Sequence, residues 1–127
     1  MRQTIYSKEA PKPIGPYSQA VKYGNVLYLS GQIGIDTTGE FVSDDVVGQT
    51  HQAMKNISAV LKEAGKSFDD IIKTSIFLKD MNDFPKVNDA YAEYFKEKFP
   101  ARETVEVSRL PKDALVEISV TVGISQD

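Results

Sequence analysis

Two charged side chains near the C-terminal end of this 127-residue chain stand where chemistry could be done: Arg102 and Glu117. Arg102 opens the β-rich run Arg102-Glu103-Thr104-Val105-Glu106-Val107, and Glu117 interrupts Val116-Glu117-Ile118-Ser119-Val120. A guanidinium in a partly buried groove is a planar, bidentate receptor for a carboxylate. A carboxylate on the polar side of an otherwise apolar strand can orient a water. Each has a plainer reading beside this one. Arg102 could be the ion-pair partner of Glu117 or Glu106, and Glu117 could be a solvated surface group. The remaining candidates are weaker. Ser30, in Leu29-Ser30-Gly31-Gln32, is not set in a nucleophile elbow. The single histidine, His51, has no second His and no Cys with which to share a metal. Glycines 31, 34 and 39 do not space as a phosphate loop or a dinucleotide fingerprint. Gly31 better suits the close approach of a backbone donor to a ligand. Asp44-Asp45 and Asp69-Asp70 fall at helix starts, where capping and the macrodipole account for them.

Composition narrows the partners. The charge is 15 Lys+Arg against 18 Asp+Glu, a net −3, without the basic excess that phosphate contacts require, so no nucleic acid is expected. Cysteine is absent, which removes disulfides, thiolate nucleophiles and Cys-ligated zinc. No run of ~18 apolar residues and no secretory signal is present, so a cytoplasmic location without membrane contact is expected. The length predicts one domain over residues 1–127.

The elements that must position these groups follow from pattern. A short edge strand is expected over Thr4 to Tyr6. The stretch from Ala10 to Pro16 holds three prolines and must be irregular. Strands over Ser18 to Tyr23 and Val26 to Ile33 flank Gly24-Asn25, a hairpin signal. A helix is expected to run from a cap within Ser43-Asp44-Asp45 to Ala64, stopped by Gly65. Ser67-Phe68-Asp69-Asp70 can form a capping box. A strand over Ile71 to Leu78 precedes a second helix from Phe84 to Phe99, capped by Asp83, with an aromatic stripe as its apolar face. Strands over Thr104 to Leu110 and Leu115 to Ser125 complete a βββ-α-β-α-ββ order. The fold class is therefore α+β: a mixed β-sheet with two helices on one face. The second face would carry Arg102, Thr104, Glu117, Ser119 and Thr121. Strand Val26-Leu27-Tyr28-Leu29 has no polar side, so self-association through that face is expected.

Several runs are closely similar to the RidA/YjgF family. They are Ile14-Gly15-Pro16-Tyr17-Ser18-Gln19, Ser30-Gly31-Gln32-Ile33, Lys79-Asp80-Met81-Asn82-Asp83-Phe84, Val87-Asn88, Phe99-Pro100-Ala101-Arg102, Arg109-Leu110-Pro111-Lys112-Asp113 and Val116-Glu117-Ile118. The resemblance covers essentially the whole chain and implies a chorismate-mutase-like fold. It further implies a homotrimer around a central barrel, with clefts between subunits. The implied activity is that of an enamine/imine deaminase, a 2-iminobutanoate/2-iminopropanoate deaminase. Such enzymes hydrolyse 2-aminoacrylate-type products of pyridoxal-phosphate-dependent dehydratases to 2-oxo acids and ammonia, with no metal or organic cofactor. By the same resemblance Arg102 clamps the carboxylate and Glu117 orients the water, while Tyr17, Ser30, Gly31, Asn88 and Thr104 line the cleft. Thr104 stands where many members have cysteine, and Glu103 where small residues are frequent; alternation points Glu103 to the other face. The alternatives are a non-catalytic 2-oxo acid binding, regulatory or chaperone-like protein, and, with less support, a ribonuclease or translation inhibitor.

Overall fold

The computed structural model describes residues 1–124 and holds six strands and two helices in the order expected from the sequence. Strands β1 (Gln3–Ile5), β2 (Ala20–Tyr23) and β3 (Val26–Leu29) form an antiparallel meander. Gly24 turns the hairpin at φ 62°, a backbone conformation open to glycine at no steric cost. Helix α1 (Val46–Glu63) starts where Asp45 Oδ1 accepts the Gly48 N–H at 2.9 Å. It ends in a Schellman arrangement: Gly65 sits at φ 72°, Lys66 N–H donates to the Leu61 carbonyl and Gly65 N–H to that of Lys62.

β4 (Ile71–Leu78), β5 (Ala101–Glu106) and β6 (Val116–Gly123) complete one sheet of order β1-β2-β3-β6-β4-β5. Only β4 and β5 run parallel; every other neighbouring pair is antiparallel. The strand expected to reach Ser125 stops at Gly123, and Ser125 lies outside the described residues. One face of β6 (Val116, Ile118, Val120, Val122) packs with Leu27, Ile76 and Leu78 beneath α1 and α2 (Phe84–Ala92). Each such side chain contributes about 1.5–3 kcal/mol by leaving water. Both helices thus cover one face of a mixed sheet, as the α+β class requires.

Besides the strand expected over Thr104 to Leu110, which runs instead over Ala101–Glu106, three expectations need correction. The second helix stops at Ala92 rather than Phe99. Its last turns tighten: Glu93, Tyr94 and Phe95 N–H groups bond carbonyls three residues back, at Ala90, Tyr91 and Ala92. That turn drives Phe95 inward, 4.8 Å from the Tyr91 ring and 6.0 Å from Phe68, so Tyr91 and Phe95 are buried without further helix while Phe99 stays exposed. The Asp83 side chain accepts no capping hydrogen bond; instead Asp80 Oδ1 accepts the Asn82 N–H at 2.9 Å in a 3-10 turn that leads into α2.

The third correction concerns the sheet faces. Arg102 lies opposite Thr74, and Thr74 opposite Val120; Thr104 lies opposite Ile76 and so opposite Ile118. Arg102 and Thr104 are therefore on the helix side. Glu117 pairs with Phe77, which pairs with Val105, so Glu117, Ser119 and Thr121 occupy the open side with Glu103. Cross-strand partners share a face, and the register, which the sequence does not display, decides the matter.

Candidate functional site

Arg102 sits on the edge strand β5, exposed, with its guanidinium carbon 5.4 Å from the centroids of both Phe84 and Tyr91. Both rings come from α2, seven residues and two turns apart on one helical face. Tyr91 is itself fixed, because its buried hydroxyl donates to Thr74 Oγ1 at 2.8 Å. Aromatic faces hold a guanidinium by cation–π attraction while leaving its N–H fork free. Among the described residues no carboxylate lies within ion-pair distance of Arg102. Glu106 instead accepts the Met81 N–H at 2.8 Å, and Glu117 is across the sheet. Within one chain, then, neither carboxylate expected as its ion-pair partner reaches Arg102. Asn88, Asp89, Phe99 and Pro100 join Tyr91 and Arg102 around a groove of about 520 Å³. Two residues along β5, Thr104 buries its Oγ1 with no hydrogen-bond partner among the described residues.

Glu117 is built into a second cavity, of about 470 Å³, whose walls include Tyr17, Gln19, Ser30, Gly31 and Lys112. A break in the β3 ladder shapes this cavity. Tyr28 lies opposite Thr121, yet Gln32 lies opposite Ile118, so four steps along one strand match three along the other. The extra residue is a bulge at Ser30-Gly31. Ser30 is pinned on the β2 side, its N–H donating to the Gln19 carbonyl at 2.9 Å and its Oγ to the Ser18 carbonyl at 2.6 Å. Gly31 then presses against the carboxylate: a Cβ there would stand 2.5 Å from Glu117 Oε2. Glu117 is half-buried, and the burial pushes its pKa above the ordinary 4.5. A desolvated carboxylate without an opposing cation is a stronger base than its exposed counterpart.

The structure thus sorts the expected site residues into two groups. Tyr17, Ser30, Gly31 and Glu117 share one cavity; Asn88 and Arg102 share another; Thr104 lies on the Arg102 side of the sheet. Tyr17 is half-exposed at the end of the proline-rich strap. Glu103 faces away from Arg102, where Lys73 Nζ approaches it at 3.3 Å and Ser75 Oγ bonds it. His51 belongs to neither group: its Nδ1 lies 2.7 Å from Tyr94 Oη on the outer surface of the helices. Sequence reasoning missed the stacking role of Phe84 and Tyr91, although their sevenfold spacing placed them on one helix face. It also passed over Gln19. No group of three or more His, Cys, Asp or Glu among the described residues is placed to hold a metal ion. No helix there is long and apolar enough to cross a membrane.

Comparison with known proteins places this geometry among relatives. The Endoribonuclease L-PSP family model matches residues 7–124. A RutC family protein of Pyrococcus horikoshii is 59% identical over 119 residues, covering 93% of this chain and 94% of the relative. The human 2-iminobutanoate/2-iminopropanoate deaminase is 46% identical over 119 residues, 93% of this chain and 87% of its own length. A crystal structure from Yersinia pestis, of a protein of the conserved Rid family, superposes with a TM-score of 0.95 at 53% identity, covering 98% of this chain and 100% of the other.

Proposed function

Since this chain belongs to the RidA/YjgF family, we propose that it is an enamine/imine deaminase, hydrolysing 2-aminoacrylate-type imino acids to 2-oxo acids and ammonia. The observation that carries this reading is Arg102, a guanidinium steadied by two rings and left without a carboxylate of its own. A 2-imino acid brings that carboxylate. Gripped bidentately, the substrate has C2 fixed, and a water held beside C2 needs only a base to accept its proton. Glu117 supplies the base, and its raised pKa brings it closer to the pH at which it must exchange the proton. Water adds to the iminium carbon as Glu117 takes the proton. Glu117 then returns that proton to the carbinolamine nitrogen; as the carboxylate takes the hydroxyl proton, the C–N bond breaks, ammonia and the 2-oxo acid are released, and the carboxyl gives its proton to solvent. With no cysteine in the chain, water is the nucleophile.

Arg102 and Glu117 lie on opposite sides of one protomer's sheet, which favours a cleft shared by two copies. The homotrimer implied by the family supplies such clefts. The open face also carries half-exposed Tyr23, Tyr28 and Val105 for a neighbour to cover. RNA cleavage has less support, because His51 lines neither cavity and the net charge is −3.

The test is an assay coupled to a pyridoxal-phosphate-dependent dehydratase, following 2-oxo acid release. Wild type is expected to accelerate it and Arg102→Ala to abolish the acceleration; normal turnover by that variant refutes the assignment. A protein that binds 2-oxo acids without speeding imine decay is a sensor rather than a deaminase. Co-refolding inactive Arg102→Ala with inactive Glu117→Gln tests the shared cleft. Random mixing gives about one cleft in four both native residues, so roughly a quarter of the activity returns. No recovery would place both residues in one protomer's site.

A further inference from the structure

We propose that Gln19 is a positioning residue of this cleft: its buried side-chain amide anchors the proline-rich strap that carries Tyr17, while its backbone carbonyl holds the bulge that carries Ser30 and Gly31. The inference rests on the deaminase reading, because the cleft so shaped is the one assigned to the imino acid. Gln19 is 1% exposed and precedes β2. Its Oε1 accepts the Ser7 N–H at 2.6 Å, while its Nε2 donates to the Ser7 carbonyl at 3.1 Å and the Pro11 carbonyl at 3.0 Å. Its own backbone carbonyl accepts the Ser30 N–H. One residue thus bonds both walls of the Glu117 cavity.

The strap needs such an anchor. Prolines 11, 13 and 16 have no N–H, so the segment cannot join the sheet ladder. A side-chain amide offers a donor and an acceptor in one plane and takes the place of the missing strand. Its orientation is fixed by the partners, since the flipped amide would set a donor against the Ser7 N–H. Leucine in this place can do neither job, and an ionised glutamate can only accept. Tyr17 lies between the strap and Gln19, so strap and tyrosine move together. The bulge keeps its bond to the Gln19 backbone carbonyl whatever the side chain, so loss of the amide frees the Tyr17 wall of the cleft and leaves Glu117 against Gly31 in place.

The experiment compares Gln19→Leu and Gln19→Glu with wild type in the intact assembly. The leucine variant is expected to raise KM for the imino acid about tenfold with kcat within about twofold, as loss of uniform binding does. Amide hydrogen exchange over residues 8–18 speeds up in parallel. In the glutamate variant the protonated carboxyl regains one donor, so its KM falls back toward wild type as pH is lowered. A role confined to folding would not produce that pH-linked rescue. Faster exchange with unchanged KM refutes the link to the ligand, and unchanged exchange refutes the tether itself. A KM of the glutamate variant that ignores pH also overturns the proposal. Wild type that leaves imine decay unaccelerated refutes the deaminase reading instead, and the exchange data still decide the tether. Should the leucine variant fail to fold, the glutamate variant carries the test alone.

Discussion

Gly31→Ala isolates the geometry of the base with one methyl group. The new Cβ would lie 2.5 Å from Glu117 Oε2, 2.8 Å from Cδ and 2.9 Å from Cγ. Comfortable contact needs roughly 3.5 Å, so the carboxylate must retreat by about 1 Å. The backbone raises no objection, because Gly31 is not among the glycines with positive φ. Alanine there also restricts the unfolded chain, so stability should stay within about 1 kcal/mol of wild type. Catalysis is more exposed to the change. A misplacement of about 1 Å at a reacting group is worth on the order of 10²-fold, or about 2.7 kcal/mol on the barrier. Arg102 occupies the other cavity, so carboxylate binding is spared and the loss falls on kcat more than KM. The dehydratase-coupled assay gives kcat and KM, and a denaturant titration gives stability. A folded variant with wild-type kcat would show that Glu117 need not occupy this position, and the water-orienting role would fall.

Further predictions come from the same two groups. Arg102→Lys keeps the charge but loses the planar fork and its stacking, so activity should fall at least about tenfold, while the melting temperature barely moves because the residue is exposed and unpaired. The acid limb of kcat/KM against pH should have its midpoint above 4.5, since the raised pKa of Glu117 comes from burial. A carboxyl whose folded pKa is raised stabilises the fold below its unfolded pKa and loses that contribution as pH rises through the folded one. Glu117→Gln should therefore lose turnover yet melt higher than wild type at neutral pH, the advantage vanishing below about pH 4; a lower melting temperature at pH 7 would contradict the desolvation argument.

The order of elements was legible because local chemistry fixes it: Asp45 and Gly65 bracket α1, Gly24-Asn25 turns the hairpin, and β6 alternates cleanly. The family runs pointed to the candidate site residues. What could not be read was their arrangement. Alternation separates inside from outside only on a half-buried strand, and β5 is an edge strand, largely exposed on both sides. Arg102 and Glu117 therefore looked alike as polar positions, and only the β4–β5–β6 register separates them. The far end of α2 misled for a related reason: Phe95 and Phe99 continue a helical spacing, yet a tightened turn buries Phe95 equally well. Gln19, Gln49 and Asn56 are polar by type and buried in fact, since each serves backbone groups outside the regular ladders.

The place of β6 governs how this protein can be made. It is synthesised after every other element described, yet it lies between β3 and β4 near the middle of the sheet. Until it emerges from the ribosome, the N-terminal meander and the β4–β5 pair share no ladder, and the apolar faces of α1 and α2 lack the strand they pack upon. The nascent chain thus exposes the β3 edge from early in synthesis and the β4 edge as well once Leu78 is made, and an unpaired edge is open to the wrong neighbour. Glu117, the proposed base, arrives on that same strand, so on this reading a molecule able to catalyse is one whose sheet has already closed.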